Sequence, residues 1–207
     1  MTKTVHKDTK AELIEAAERL LATRGIGTVT AMEIIKDANA RNASAVRYHF
    51  GNLENLIQAV FEKRVSEIDQ DRLQHISQLD ERGDGNDLKM LLGVIARAPL
   101  ESCETEGGQF YAQFLAQLSA DPRFDVEELL GDFLPESMRL VRGRIIQILA
   151  DHPREHLIDR VRRLNTIAIS LVADYARRKA GGTAPTINVA AGEIANCLAA
   201  FLTAPYD

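Results

Sequence analysis

The residues of this chain best suited to chemistry lie between positions 39 and 50, where the sequence reads NARNASAVRYHF. Drawn as a helix capped by Asn42, the stretch puts Ala43, Ser44, Arg47 and Tyr48 on one side and Ala45, Val46, His49 and Phe50 on the other. The second set has the character of a core face. The first combines small side chains, which let a backbone approach a groove floor, with groups that reach nucleic acid. An Arg guanidinium pairs with guanine in bidentate fashion and binds any phosphate, while Ser and Tyr hydroxyls suit phosphate oxygens. The bland alternative is a short solvated helix that carries one Arg and one Tyr. His49 also has two readings, as a phosphate donor or as an inward ring satisfying a backbone carbonyl.

Competing chemistry is thin. His152 and His156 have a metal-like spacing, but Pro153 is placed to open a helix and leave His152 outside it, so a solvated helix start is the favoured reading. Glu127-Glu128 and Asp80-Glu81 are adjacent carboxylates with no neighbouring His or nucleophile. There is no phosphate-cradling Gly loop, no Gly-flanked nucleophilic Ser and no Cys/His pair. The sequence predicts a binding protein with no catalytic residues, no metal and no cofactor.

The elements that must position these residues are helical throughout. A first helix is expected over residues 8–23, with Leu13, Ile14, Ala17, Leu20 and Leu21 on one stripe and Gly25 and Gly27 ending it. Thr30-Ala31-Met32-Glu33 has the form of a capping box opening a short second helix. Asn42 to His49 forms the third. Gly51 stops it and Asn52 caps a fourth, striped by Leu56, Ile57, Val60, Phe61, Val65 and Ile68 and continuing past Leu73. Two helices meeting at a short turn, the second entering the major groove, make a helix-turn-helix. The loop at 80–87, DERGDGND, marks the hand-over to a larger unit with helices at 87–98, 108–120, 135–150, 153–180 and 188–202. Gly107-Gly108 reads as a helix boundary. The expected architecture is all-α: a helix-turn-helix domain at 1–51, a connecting helix at 52–79 and a C-terminal ligand-binding and dimerisation domain at 80–207.

Charge agrees with a localised contact. The chain of 207 residues carries a net −5, which argues against indiscriminate coating of nucleic acid. Residues 1–64 hold ten Lys/Arg against eight Asp/Glu (+2), and the remainder fifteen against twenty-two (−7). No apolar run approaches the roughly 20 residues that span a membrane, and no apolar signal core precedes the first helix. Cys103 and Cys197 lie far apart and read as buried thiols in a reducing cytoplasm.

Two late helices have more apolar surface than one core requires. Over 153–180 the apolar positions span an arc of roughly 200°, where roughly 100° suffices. A homodimer interface through Ile158, Val161, Leu164, Ile169, Val172, Leu198 and Phe201 is the economical explanation, and deep burial within one chain is the other. Phe110, Phe114, Met138 and Tyr175 are the expected walls of a ligand pocket, with core packing as the bland alternative. No Trp and 5% aromatic content favour an aliphatic or amphiphilic ligand over a planar one.

The first sixty residues resemble the TetR family of bacterial transcriptional regulators. The resemblance rests on Arg24-Gly25, on Val29-Thr30 before Ile34, on Ala38 opening the turn, on Tyr48-His49-Phe50-Gly51-Asn52 and on Glu54-Asn55-Leu56-Ile57. It implies that the third helix reads an operator and that the helix starts at Thr30 and Asn52 abut phosphates. Thr30, Arg41, Asn42, Ala43, Ser44, Arg47, Tyr48 and His49 are then the DNA-contacting set. Departures from the pattern are Asn39 for the common Gly, a turn one residue longer, Arg47 for the usual Tyr and Leu53 for the usual Lys. Arg41, Arg47 or the arm bearing Lys3, His6, Lys7 and Lys10 is expected to supply the missing phosphate contact. The resulting expectation is a cytoplasmic, homodimeric repressor of a near-palindromic double-stranded operator, released by a small-molecule effector of unknown identity. The alternative is a helical small-molecule-binding protein or enzyme whose N-terminal unit does not read DNA.

Overall fold

A computed structural model describes residues 8–131 and 134–205. Among them the chain forms ten helices and no strand: α1 (Thr9–Arg24), α2 (Ala31–Asp37), α3 (Ala45–Phe50), α4 (Leu53–Arg82), α5 (Leu88–Ser102), α6 (Glu106–Ala120), α7 (Val126–Leu130), α8 (Glu136–Ile148), α9 (Arg154–Ala180) and α10 (Ile187–Thr203). The fold is all-α, and no helix of the described residues is long and apolar enough to cross a membrane.

Local chemistry sets most helix starts. Side chains of Asp8, Asn52, Asp87, Thr105 and Asp125 each accept from a backbone amide in the first turn that follows, satisfying donors a helix leaves orphaned. At Thr30 the full box forms: Thr30 Oγ1 accepts from Glu33 N at 3.3 Å, and Glu33 Oε2 accepts from Thr30 N at 2.9 Å. Gly51 ends α3 at a φ of 85°, and Asn39 takes the positive φ of 51° that its position in the turn requires.

Two apolar clusters organise the molecule. One gathers Leu13, Ala17, Leu21, Ile34, Val46, Leu56, Ile57 and Phe61 from α1–α4, and it also takes in Ala98, Tyr111, Phe114, Leu118 and Leu130 from later helices. The other gathers α5, α8, α9 and α10 around Leu91, Leu92, Val161, Leu164 and Leu198. Helix α4 belongs to both, supplying Leu56 to Ile68 to the first and Ile76 and Leu79 to the second. At about 1.5 Å per residue its 30 residues extend roughly 45 Å.

Several boundaries differ from the sequence expectation. Helix α4 runs three residues into the expected loop at 80–87, because Asp80 is held by Arg144 of α8 at 2.6 and 2.8 Å and Gly83 then closes the helix at a φ of 80°. Helix α5 carries Pro99 inside it and continues to Ser102. Helix α3 starts at Ala45, not Asn42; the Asn42 carboxamide instead accepts from Ser44 N at 2.9 Å and shapes the turn before it. Cys103 is buried as expected, whereas Cys197 lies exposed on α10.

The broad apolar arc of α9 is covered within the chain. That helix packs on α5, α6, α8 and α10, so its two flanks meet different neighbours. Val161, Leu164, Val172 and Leu198 are buried in the chain's own core and are not available to a second copy. Ile158 and Phe201 are half-buried, and between residues 158 and 175 the exposed positions of α9 are polar: Asp159, Arg162, Arg163, Thr166, Ser170 and Asp174.

Gly108 shows what the close packing demands. It lies in the first turn of α6, and a Cβ there would come within 1.9 Å of the Ser102 carbonyl oxygen. Backbone cannot yield as a flexible side chain does. Gly108→Ala is therefore expected to destabilise the chain by at least about 1–3 kcal/mol, read as a lowered midpoint in chemical denaturation, while Gly143→Ala, with open space around it, should not.

Candidate nucleic-acid interface and internal cavity

The third helix presents the two faces its sequence implied. Ala45 and Val46 are buried against the first core, while Arg41, Asn42, Ala43, Ser44, Arg47 and Tyr48 are exposed. Among the described residues Tyr48 is the most exposed of the large hydrophobic side chains, at 80%. Its ring meets His49 edge to face at 4.9 Å between centroids, and His49 is half-buried between Tyr48 and Phe50. Lys10 of α1 lies 5.7 Å over the Phe50 ring, so the last cation of the N-terminal arm stands beside this helix. Lys3, His6 and Lys7 lie outside the described residues.

Two acids near the helix are already engaged. Asp37 pairs with Arg19, and Glu33 pairs with Arg24 at 2.7 Å while closing the Thr30 cap. Among the described residues Arg41, Arg47 and Lys36 make no ion pair, which leaves a cationic surface around the turn and α3. Thr30 is exposed, but its hydroxyl is given to Glu33 Oε2 at 2.8 Å. A phosphate contact by that hydroxyl would compete with the cap.

The cap has a pH signature. Hydrogen bonds from the Thr30 amide, the Arg24 guanidinium and the Thr30 hydroxyl, in that order, hold the Glu33 carboxyl at about 2, below its usual 4.5. A lowered carboxyl pKa contributes stability above the unfolded value and loses it as pH falls through the folded one. Between about 4.5 and 2 the start of α2 is expected to loosen, seen as faster amide exchange at residues 33 and 34. Glu33→Gln should abolish that acid step and leave an already weakened cap.

A partly buried pair links α1 to the long helix. Arg64 gives Nε and Nη2 to the two Glu18 oxygens at 2.8 and 2.7 Å and Nη1 to Glu67 at 2.9 Å. The Glu18 hydrogen bonds hold the guanidinium well above its ordinary pKa. This fork fixes the angle between α1 and α4 more rigidly than apolar contact alone, because both oxygens must stay in plane with the guanidinium.

Further along α4 lies a cavity of about 100 Å³. It is bounded by α4 (Phe61, Val65, Ile68, Arg72), α5, α6, α7, α8 and α9. Of the expected pocket walls, Met138 lines it. Phe110, Phe114 and Tyr175 do not: Phe114 is fully buried in the first core, Phe110 packs against that core, and Tyr175 belongs to the second. Ile169 and Val172, expected at a dimer interface, face this cavity instead.

Sequence reasoning missed Arg72 and Tyr111. Arg72 is in phase with the apolar series Phe61, Val65, Ile68, Ile76 and Leu79, and a cation standing in such a stripe was the available signal. Among the described residues no group of three or more His, Cys, Asp and Glu gathers to hold a metal. His152 precedes α9, which begins at Arg154.

No protein-family model matches the chain, and no curated protein matches it.

Proposed function

We propose that this chain is a DNA-binding transcriptional regulator that acts as a homodimeric repressor of a near-palindromic operator and is released by a small molecule. The observation that carries the reading is the outward face of α3. A short helix exposes Arg47 and Tyr48 while burying Ala45 and Val46, among cations whose neighbouring acids are engaged elsewhere. Nothing in packing accounts for an 80% exposed tyrosine beside an exposed arginine, whereas groove contact uses both.

Two such helices about one DNA turn apart, roughly 34–36 Å, would meet successive major grooves. For the pairing surface, half-buried Ile158 and Phe201 and the exposed Val189, Cys197 and Ala200 of α10 are among the apolar positions that the late helices do not bury. Release follows from α4, which is continuous from the residue after the Asn52 cap to the wall of the cavity. A ligand that fits one tilt of α4 better than another shifts the distance between reading helices and lowers operator affinity through differential binding.

Selection of bound sequences from random DNA, repeated with and without a metabolite pool, tests the proposal. The expected result is an enriched two-fold-related site whose recovery falls with the pool. Recovery of no preferred sequence at low ionic strength overturns it.

A further inference from the structure

We propose that the cavity takes a small amphiphilic monoanion, a carboxylate with a short apolar body, whose head pairs with the guanidinium of Arg72. As the identity of an effector this rests on the regulatory reading above, but the binding step itself does not involve DNA.

Arg72 is 8% exposed and lines the cavity. Its Nη1 gives a long hydrogen bond of 3.3 Å to Ser137 Oγ, itself fully buried, and its Nε has no partner among the described residues. Asp69, one turn earlier on α4, is the nearby counter-charge, but it accepts from the Ser137 backbone amide at 3.0 Å. Burial lowers the Arg72 pKa to about 10, which leaves it charged at neutral pH. A cation held against Phe61, Ile68, Ile95, Met138 and Val172 with an N–H unsatisfied is costly unless something completes its shell.

Of the other polar side chains at the cavity, Tyr111 brings its hydroxyl, while those of Ser102 and Asn165 are engaged elsewhere. Ser102 Oγ donates to the Pro99 carbonyl at 2.8 Å, and Asn165 Nδ2 donates to Glu127 Oε1 at 2.8 Å. Arg72 is thus the charged side chain of the cavity lining, and its guanidinium is the group that the head of a ligand can pair with. A carboxylate suits it best, because two oxygens in one plane match the guanidinium fork and cancel its charge. One guanidinium fits one negative charge. The walls set the rest: they are apolar, and the space holds roughly seven to ten water-sized spheres, which is the size of a carboxylate with about eight carbons.

The experiment is calorimetric titration of the DNA-free protein with octanoate, octan-1-ol and octylamine, repeated on Arg72→Met and Arg72→Lys. Octanoate is expected to bind at least tenfold more tightly than octan-1-ol, and octylamine not at all. Arg72→Met should weaken octanoate at least tenfold while leaving octan-1-ol unchanged or improved, and Arg72→Lys should fall between. Equal affinity for octanoate and octan-1-ol, no binding of either, or full octanoate affinity in Arg72→Met would overturn the inference. If Arg72→Met does not fold, the octanoate to octan-1-ol ratio of the unaltered protein decides. Arg72-dependent octanoate binding without sequence-selective DNA binding would keep this site and remove the regulator. Selective DNA binding without octanoate binding would do the reverse.

Discussion

Cutting Phe114 back to alanine is expected to cost about 3–5 kcal/mol, the usual range for a fully buried phenylalanine that leaves a void behind. For a chain of 207 residues this corresponds to a fall in Tm of about 6–20 °C. The reason is where the ring sits. Phe114 is completely buried on α6, within the cluster built largely from α1–α4, so its loss opens the contact between α6 and α1 as well as the core itself. Tyr111, one turn earlier, stacks obliquely on it at 6.1 Å between centroids and would lose that contact too. Thermal unfolding followed by circular dichroism makes the measurement. A change below about 1 kcal/mol would mean that the ring lines an open pocket, as the sequence had allowed, and that the interior is less well filled than described.

Arg47→Ala is expected to weaken operator binding by about 1–3 kcal/mol, roughly five- to 150-fold, with no change in folding. The side chain is exposed and makes no ion pair among the described residues, so its removal leaves no hole and no stranded partner. If Arg47 meets a phosphate, the slope of log affinity against log salt should also fall by about one. If it meets a base edge, the loss should be confined to particular operator positions. Arg162→Ala, also exposed but on α9, is the control and should do neither. Unchanged affinity and unchanged salt dependence in Arg47→Ala would remove this residue from the interface and leave Arg41 and Lys36 as the cations of that surface.

These predictions differ in how far the sequence anticipates them. The Arg47 face is written locally: Ala45 and Val46 point one way and Arg47 and Tyr48 the other because of 100° per residue, whatever the helix packs against. The cap at Thr30 is likewise a matter of three residues and a hydroxyl. Phe114 is different. Its position on an apolar face was evident, but whether that face meets a filled core or an open space depends on six other helices.

The same distinction runs through the whole molecule. Sequence alone determined the all-helical character, most helix starts and the exposed face of α3, because hydrogen bonds to the next turn and backbone sterics act over three or four residues. Only tertiary structure decided that α9 buries its wide apolar arc between α6 and the helices on its other flank, that Phe114 and Tyr175 are core while Met138 borders a cavity, and that Arg72 is enclosed. A helical wheel states the direction of a side chain from its own axis; what stands opposite is set by helices far away in the chain, whose arrival depends on the packing of every neighbour at once.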